Sequence, residues 1–156
     1  LRGVDHHPPV QRPAQKHVFH ARREIGERDG LVAAVAHEHE EVRQFEFRHE
    51  VEVLGIHVAE VDGEAAGAVG LKDLGRGECE MKRLYVRPKF QGIGLGRRLS
   101  LALIESARER GFSIMRLDTL ERLEPAVALY KSLGFAETSG YYDNPLDGVI
   151  YMARRL

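Results

Sequence analysis

The most regular hydrophobic pattern in the chain lies past its midpoint. Leu95, Leu99, Ala102, Leu103 and Ala107 recur at i, i+4, i+7, i+8 and i+12, one face of an amphipathic helix that Gly111 is placed to stop. A second helix is predicted soon after, with Ala126, Leu129, Tyr130 and Leu133 on one face, Pro125 in its first turn and Gly134 at its end. Around these helices the pattern is that of strands. Val53–Val61 reads as a strand, Asp62-Gly63 as a hairpin turn, and Ala65 to about Leu71 as the partner strand. Gly75–Gly77 marks another turn, before a third strand over Cys79–Val86. Ser113–Thr119 predicts a short buried strand. Phe135–Thr138 and Val149–Ala153 predict two more, around a loop holding Tyr141, Tyr142, Asn144 and Pro145.

The first third is less regular. Lys16–Glu24 predicts a first strand, and Glu27–Phe45 carries Leu31, Val32, Val35, Ala36 and Val42 at roughly helical spacing, which fits one bent helix or two short ones. Residues 1–15 contain Pro8, Pro9 and Pro13 and no periodicity, so they read as an arm whose composition is open to disorder. The expected order, β-α(α)-βββ-α-β-α-ββ, makes residues 16–156 one α/β domain. Its sheet is mixed and mostly antiparallel, because hairpins force antiparallel neighbours, and helices flank it.

Composition narrows the picture. A chain of 156 residues fits one domain, and 43% hydrophobic residues suffice for an ordinary core. The formal net charge of -1 gives no reason to expect nucleic acid or an anionic membrane as partner. No apolar run approaches the roughly 20 residues of a membrane span, and the first residues lack the apolar segment of a secretory signal. The single cysteine, Cys79, cannot form an internal disulfide, which suits a reducing, cytoplasmic setting. All eight histidines fall within the first 57 residues, so a Cys-His or Ser-His mechanism centred further on would have to borrow its base from there. The run His37-Glu38-His39-Glu40-Glu41 is not H-E-x-x-H, and no metal is expected.

The segment Gln91-Gly92-Ile93-Gly94-Leu95-Gly96 stands between a predicted strand and the first amphipathic helix. Alternate glycines let several N–H groups point into one concavity, and the helix start adds its positive end, which together suit a pyrophosphate. Arg87, Lys89, Arg97 and Arg98 place positive charge nearby. On spacing alone a glycine-rich connector is the competing reading. A dinucleotide fingerprint would need its third glycine at the position of Arg97, and a P-loop would need Gly-Lys followed by Ser or Thr; neither is present.

The stretch EMKRLYVRPKFQGIGLGRRL resembles the core of the GCN5-related N-acetyltransferase (GNAT) superfamily, where a strand precedes Q/R-x-x-G-x-G/A, here Gln91, Gly94 and Gly96. Ala128–Phe135, ALYKSLGF, is similar to that family's second signature, L-Y-x-x-x-G-F. The resemblance implies a sheet whose two middle strands splay apart to admit acetyl-CoA as co-substrate. It implies that the loop Gln91, Gly92, Ile93, Gly94, Leu95 and Gly96, with Arg97, binds the pyrophosphate. Backbone groups of Leu84, Tyr85 and Val86 would hold the pantetheine and polarise the thioester. Leu123 departs from the pattern, since many members have Asn there.

Acetyl transfer to an amine needs a base to make the amine neutral, an acid to help the thiolate leave, and an N–H for the oxyanion. The resemblance assigns the acid to Tyr130. It makes Glu80 the favoured base, with Glu78 of the same parity and Asp118 as the main rival. Each carboxylate has a competing reading as an ion-pair partner of Lys82, Arg83 or Arg116. Tyr141, Tyr142 and Asn144 line an acceptor pocket or else close a sheet edge. Cys79 reads as a buried strand residue. The expected function is direct transfer of acetyl from acetyl-CoA to a small-molecule primary amine, by a chain for which a homodimer is admitted. A non-catalytic acyl-CoA-binding module, or an acetyltransferase acting on a protein lysine or N-terminus, are the alternatives.

Overall fold

A computed structural model describes the backbone of residues 15–21 and 33–35 and the whole of residues 54–156. Residues 1–14 of the predicted arm, and the His37–Glu41 run, lie outside the described residues, while Gln15, its last position, opens the first strand. Strands are β1 (Gln15–Ala21), β2 (Ala33–Val35), β3 (Gly55–Val61), β4 (Glu64–Gly75), β5 (Glu78–Val86), β6 (Ile114–Leu120), β7 (Ala136–Thr138) and β8 (Val149–Arg155). Helices are α1 (Leu95–Glu109) and α2 (Glu124–Ser132). Among the described residues the strands form one sheet in the order β2-β1-β3-β4-β5-β6-β8-β7. Only β1–β3 and β5–β6 run parallel, so the sheet is mixed and mostly antiparallel as expected.

One expectation fails. Ala33–Val35, inside the segment read as helical, is a strand antiparallel to β1, with Val35 opposite His17 and Ala33 opposite Phe19. Pairing with a neighbouring strand overrides a local spacing that Leu31, Val32, Val35 and Ala36 satisfy only approximately. The rest of Glu27–Phe45 lies outside the described residues.

Two hairpins set the centre of the sheet. Asp62 and Gly63 (φ 52° and 81°) join β3 to β4, and Arg76 and Gly77 (φ 55° and 77°) join β4 to β5, both as two-residue turns with left-handed backbone. Strand alternation then sorts β5: Cys79 and Met81 face the helices, while Glu78, Glu80 and Lys82 face the other way. The main core lies on the helix side, where Leu95, Leu99, Leu103, Ile104 and Ala107 of α1 pack against Val69, Leu71, Met81, Met115 and Leu117. A smaller cluster of Val58, Ala65 and Ala68 lies apart from it.

The second helix ends in a way that explains its signature. Phe135 N–H bonds to the Tyr130 carbonyl at 3.1 Å and Gly134 N–H to that of Lys131 at 3.0 Å, with Gly134 at φ 82°. This is a Schellman cap, whose apolar contact is the Tyr130–Phe135 pair. The spacing L-Y-x-x-x-G-F is therefore the spacing of a helix stop that fixes the tyrosine.

Candidate active site

Two features of β5 create an opening in the sheet. Opposite β4 the register runs Gly67↔Val86 and Ala68↔Tyr85, then jumps to Gly70↔Lys82, so β5 carries one extra residue, with Arg83 at φ 53°. Such a bulge bends the strand and disrupts its ladder locally. On its other side β5 pairs with β6 only at Glu78↔Ile114, Cys79↔Met115 and Glu80↔Arg116. β5 continues to Val86 against β4 and β6 to Leu120 against β8, with no further β5–β6 rung among the described residues. The two strands therefore fork, as the resemblance implied.

Gln91–Gly96 lies at one side of this fork. A short 3-10 turn, Pro88–Phe90, carries the chain from β5 to the loop. Gly92 and Gly94 both have φ 81°, and a Cβ on either would meet nothing within 4 Å. Gly94 is the N-cap of α1, where no side chain bonds the free amides and no acidic residue occupies the first turn. A helix start in that condition accepts an anion. Gly96 sits where a Cβ would be 3.5 Å from Leu129 of α2 and 3.9 Å from Val86, so loop, strand end and second helix converge.

The positive charge counted around the loop is largely committed elsewhere. Arg87 and Lys89 both bind Glu64 at the β3–β4 turn, at 2.9 and 2.6 Å, and the Lys89 hydrogen bond chiefly holds the Glu64 carboxyl below its usual range. Arg97 donates to Ser132 Oγ at 2.9 Å, tying α1 to α2, and Gln91 Nε2 donates to the Val86 carbonyl at 3.0 Å.

A polar network lies beyond the last rung of the fork, on the sheet face turned from the helices. Glu80 is 1% exposed; its Oε1 lies 2.8 Å from Lys82 Nζ and accepts a short hydrogen bond from Tyr141 Oη. Lys82 Nζ also lies 3.1 Å from Asp118 Oδ1, whose other oxygen accepts from Asn144 Nδ2 at 3.3 Å. Burial works against the Lys82 charge, but the hydrogen bond and charge of Glu80, with Asp118, hold its ammonium above the ordinary lysine value. Glu78 is kept ionised by a two-pronged pairing with Arg116, at 2.6 and 3.1 Å. The ion-pair reading therefore holds for Glu78 and Glu80, and the Glu80 carboxylate is not an isolated base. Tyr141, Tyr142 and Tyr151 pack edge to ring at 5.3–5.5 Å, and Tyr151 Oη bonds the Tyr142 carbonyl at 2.8 Å. The loop expected either to line the acceptor side or to close an edge is thus fastened to the two carboxylates themselves. Lys82, which joins them, was named from sequence only as an ion-pair partner.

Tyr130 lies on α2 and is 8% exposed, with burial and then the Asp118 charge pushing its phenol up to about 12. Leu123, at the position of the family's Asn, is the N-cap of α2 and makes no side-chain cap bond. Cys79 is fully buried, and burial pushes its thiol up to about 12. Among the described residues no group of His, Cys, Asp and Glu could hold a metal ion, and no helix is long and apolar enough to cross a membrane.

Comparison with known proteins agrees with this geometry. The sequence profile of the acetyltransferase (GNAT) family matches residues 19–135. An uncharacterised N-acetyltransferase of Schizosaccharomyces pombe is 50% identical over 91 residues, 58% of this chain and 56% of that protein. The chain thus spans little more than half the length of that relative. Among solved structures, a protein described as an acyl-CoA N-acyltransferase from Klebsiella pneumoniae superposes with a TM-score of 0.57 at 33% identity, covering 60% of this chain and 66% of that one. The protein yncA of Salmonella typhimurium, described as an acetyltransferase and solved with its cofactor acetyl-CoA, gives a TM-score of 0.54 at 28% identity, over 63% of this chain and 62% of that one.

Proposed function

Because the chain belongs to the acetyltransferase (GNAT) family, we propose that it moves an acetyl group from acetyl-CoA directly to the primary amine of a small molecule, within a ternary complex. The observation that carries this reading is the fork, with an uncapped, glycine-lined helix start at one side and the Glu80–Lys82–Asp118 network at the other. The residues fit acetyl-CoA, since Gly92 and Gly94 leave open the space a side chain would fill in front of the α1 amides. Those amides, from Gln91 to Gly96, with Arg97, would hold the pyrophosphate. The edge of β5 at Leu84, Tyr85 and Val86 that faces the fork would take the pantetheine as an added strand and offer an N–H to the thioester oxygen. Once bound, acetyl-CoA supplies the activated acetyl group.

Tyr130, a phenol that stays protonated well beyond neutral pH, is the donor for the departing sulfur. The acceptor's proton goes to Glu80 and Asp118, which share one ammonium and so act as a pair. The Asp118 side chain is 21% exposed against 2% for Glu80, which makes Asp118 the member that meets the acceptor. The Tyr141–Asn144 segment, bonded to both carboxylates, narrows the approach, in favour of a small amine over a folded protein's lysine. Direct transfer is supported by Cys79, the sole thiol, whose burial removes it as an acetyl carrier. Initial-rate kinetics with both substrates varied test the order of events. Intersecting lines and no acetylated protein are expected; parallel lines with a covalent acetyl-enzyme would overturn direct transfer.

A further inference from the structure

The parallel register of β5 and β6 ends at Glu80↔Arg116. Extended by two residues, it puts Lys82 beside Asp118, and there a side-chain bond of 3.1 Å stands where the backbone rungs have stopped. The same ammonium holds Glu80 at 2.8 Å, so the two carboxylate oxygens lie within about 6 Å of each other. The Tyr142 ring, 5.2 Å from Nζ, covers the lysine. Resting on the acetyl-transfer reading above, we infer that Lys82 is a positioning residue that pins the fork at its apex and keeps the Glu80–Asp118 pair ionised, ready to take the acceptor's proton.

Among the described residues, the surrounding charges leave this task to Lys82. Arg116 on β6 spends two N–H groups on Glu78 and lies over the Tyr141 ring at 5.4 Å. Lys72 on β4 stands opposite Glu80 in the register, and among the described residues no ion pair joins their side chains. From the β7–β8 loop come Tyr141 to Glu80 and Asn144 to Asp118, both neutral donors; Tyr142 bonds Asn144, and Tyr130 of α2 feels the Asp118 charge. Among the described residues Lys82 is the cation that touches both carboxylates. Without it, two like charges at this separation disfavour each other's ionised form, and one carboxyl holds its proton to higher pH. A protonated carboxyl cannot serve as the base, so the loss appears on the acid side of the pH profile.

The test is a carboxyl-carbon NMR titration of the protein without ligand, in wild type, Lys82→Met, Lys82→Arg and the double variant Lys82→Met/Asp118→Asn. Lys82→Met is expected to move one carboxyl titration upward by about one to two pH units. Lys82→Arg is expected to keep the wild-type value, and the double variant to return most of the way to it. The acid limb of kcat should move with the titration, with KM for acetyl-CoA unchanged. If Lys82→Met does not fold, Lys82→Gln replaces it in the same titration. A folded Lys82→Met or Lys82→Gln protein whose carboxyls titrate as in wild type, in an enzyme that transfers acetyl groups, would overturn the role of Lys82 alone. A shifted titration in a protein that acetylates no amine would instead sink the transfer reading and leave the ionic role standing.

Discussion

Tyr130 and Phe135 meet edge to ring, 6.1 Å between centroids, across the turn that stops α2. The helix cap orders both residues, and Arg154 of β8 donates to the neighbouring Leu133 carbonyl, so a donor proposed to face the thioester sulfur stands on a pinned helix end. Removing only its hydroxyl should separate chemistry from packing. Tyr130→Phe is expected to lower kcat by about 10²-fold, the lower end for general acid catalysis, while the Kd for CoA changes less than about twofold. Stopped assays beside calorimetric CoA binding measure both, and an unchanged kcat would remove Tyr130 from the acid role.

Gly94 allows a test of the anion cradle that does not depend on folding. Its φ of 81° strains any β-branched residue, so Gly94→Val combines strain of about 1–2 kcal/mol with an obstructing side chain. Asparagine tolerates that backbone region. Gly94→Asn should therefore fold with a Tm near wild type and lose CoA affinity by about tenfold or more. Normal CoA affinity in the folded variant would count against the loop as the pyrophosphate site.

Gly67 behaves differently, because its neighbours are close. A Cβ there would lie 2.7 Å from the Tyr85 carbonyl oxygen and 3.1 Å from Leu99. The oxygen belongs to the backbone of the bulged strand and cannot swing aside as a side chain can. Gly67→Ala is expected to destabilise the fold by about 1–3 kcal/mol in urea melts and to weaken CoA binding, since Leu84–Val86 must move. A stable variant with altered CoA binding, or the reverse, would separate the two effects.

Several buried groups make the fold sensitive to alkali. Burial raises the Cys79 thiol from 9.0, and the Tyr130 phenol from 10.0, to about 12 each. Groups raised in the folded state stabilise it fully below their unfolded values and lose that contribution as pH rises through the folded ones. Stability should thus fall from about pH 9 towards pH 12, with Cys79 alone contributing a loss of about 1 kcal/mol by pH 10. Cys79→Ala should flatten the slope between pH 9 and 10 in denaturant melts, whatever its stability at pH 7. An equally steep slope in that variant would contradict the assignment.

Much of this was legible in the chain, for local reasons. The α1 stripe, the Asp62-Gly63 turn and the Gly134 stop are each written within a few residues of where they act, and all appear where expected. The two signatures were legible too, since both describe the geometry of one helix end. What escaped is non-local. The strand Ala33–Val35 depends on β1. The bulge at Arg83 exists only relative to β4. Glu64 takes up Arg87 and Lys89 from more than 20 residues away, so counting cations near the loop overstated its charge. Lys82 looked like an ordinary strand lysine until β6 brought Asp118, and the Tyr141–Asn144 loop Tyr142, to join Glu80 of its own strand around it.

The most direct test of the account is thiol release from acetyl-CoA by the purified chain, across a panel of small amines, amino acids and peptides, with the acetylated product identified by mass. Amine-dependent release, with acetyl found on a primary amine of a small molecule, is the expected result. CoA binding without release over the whole panel would contradict it and favour a non-catalytic acyl-CoA-binding module, and release with peptides alone would move the acceptor to proteins.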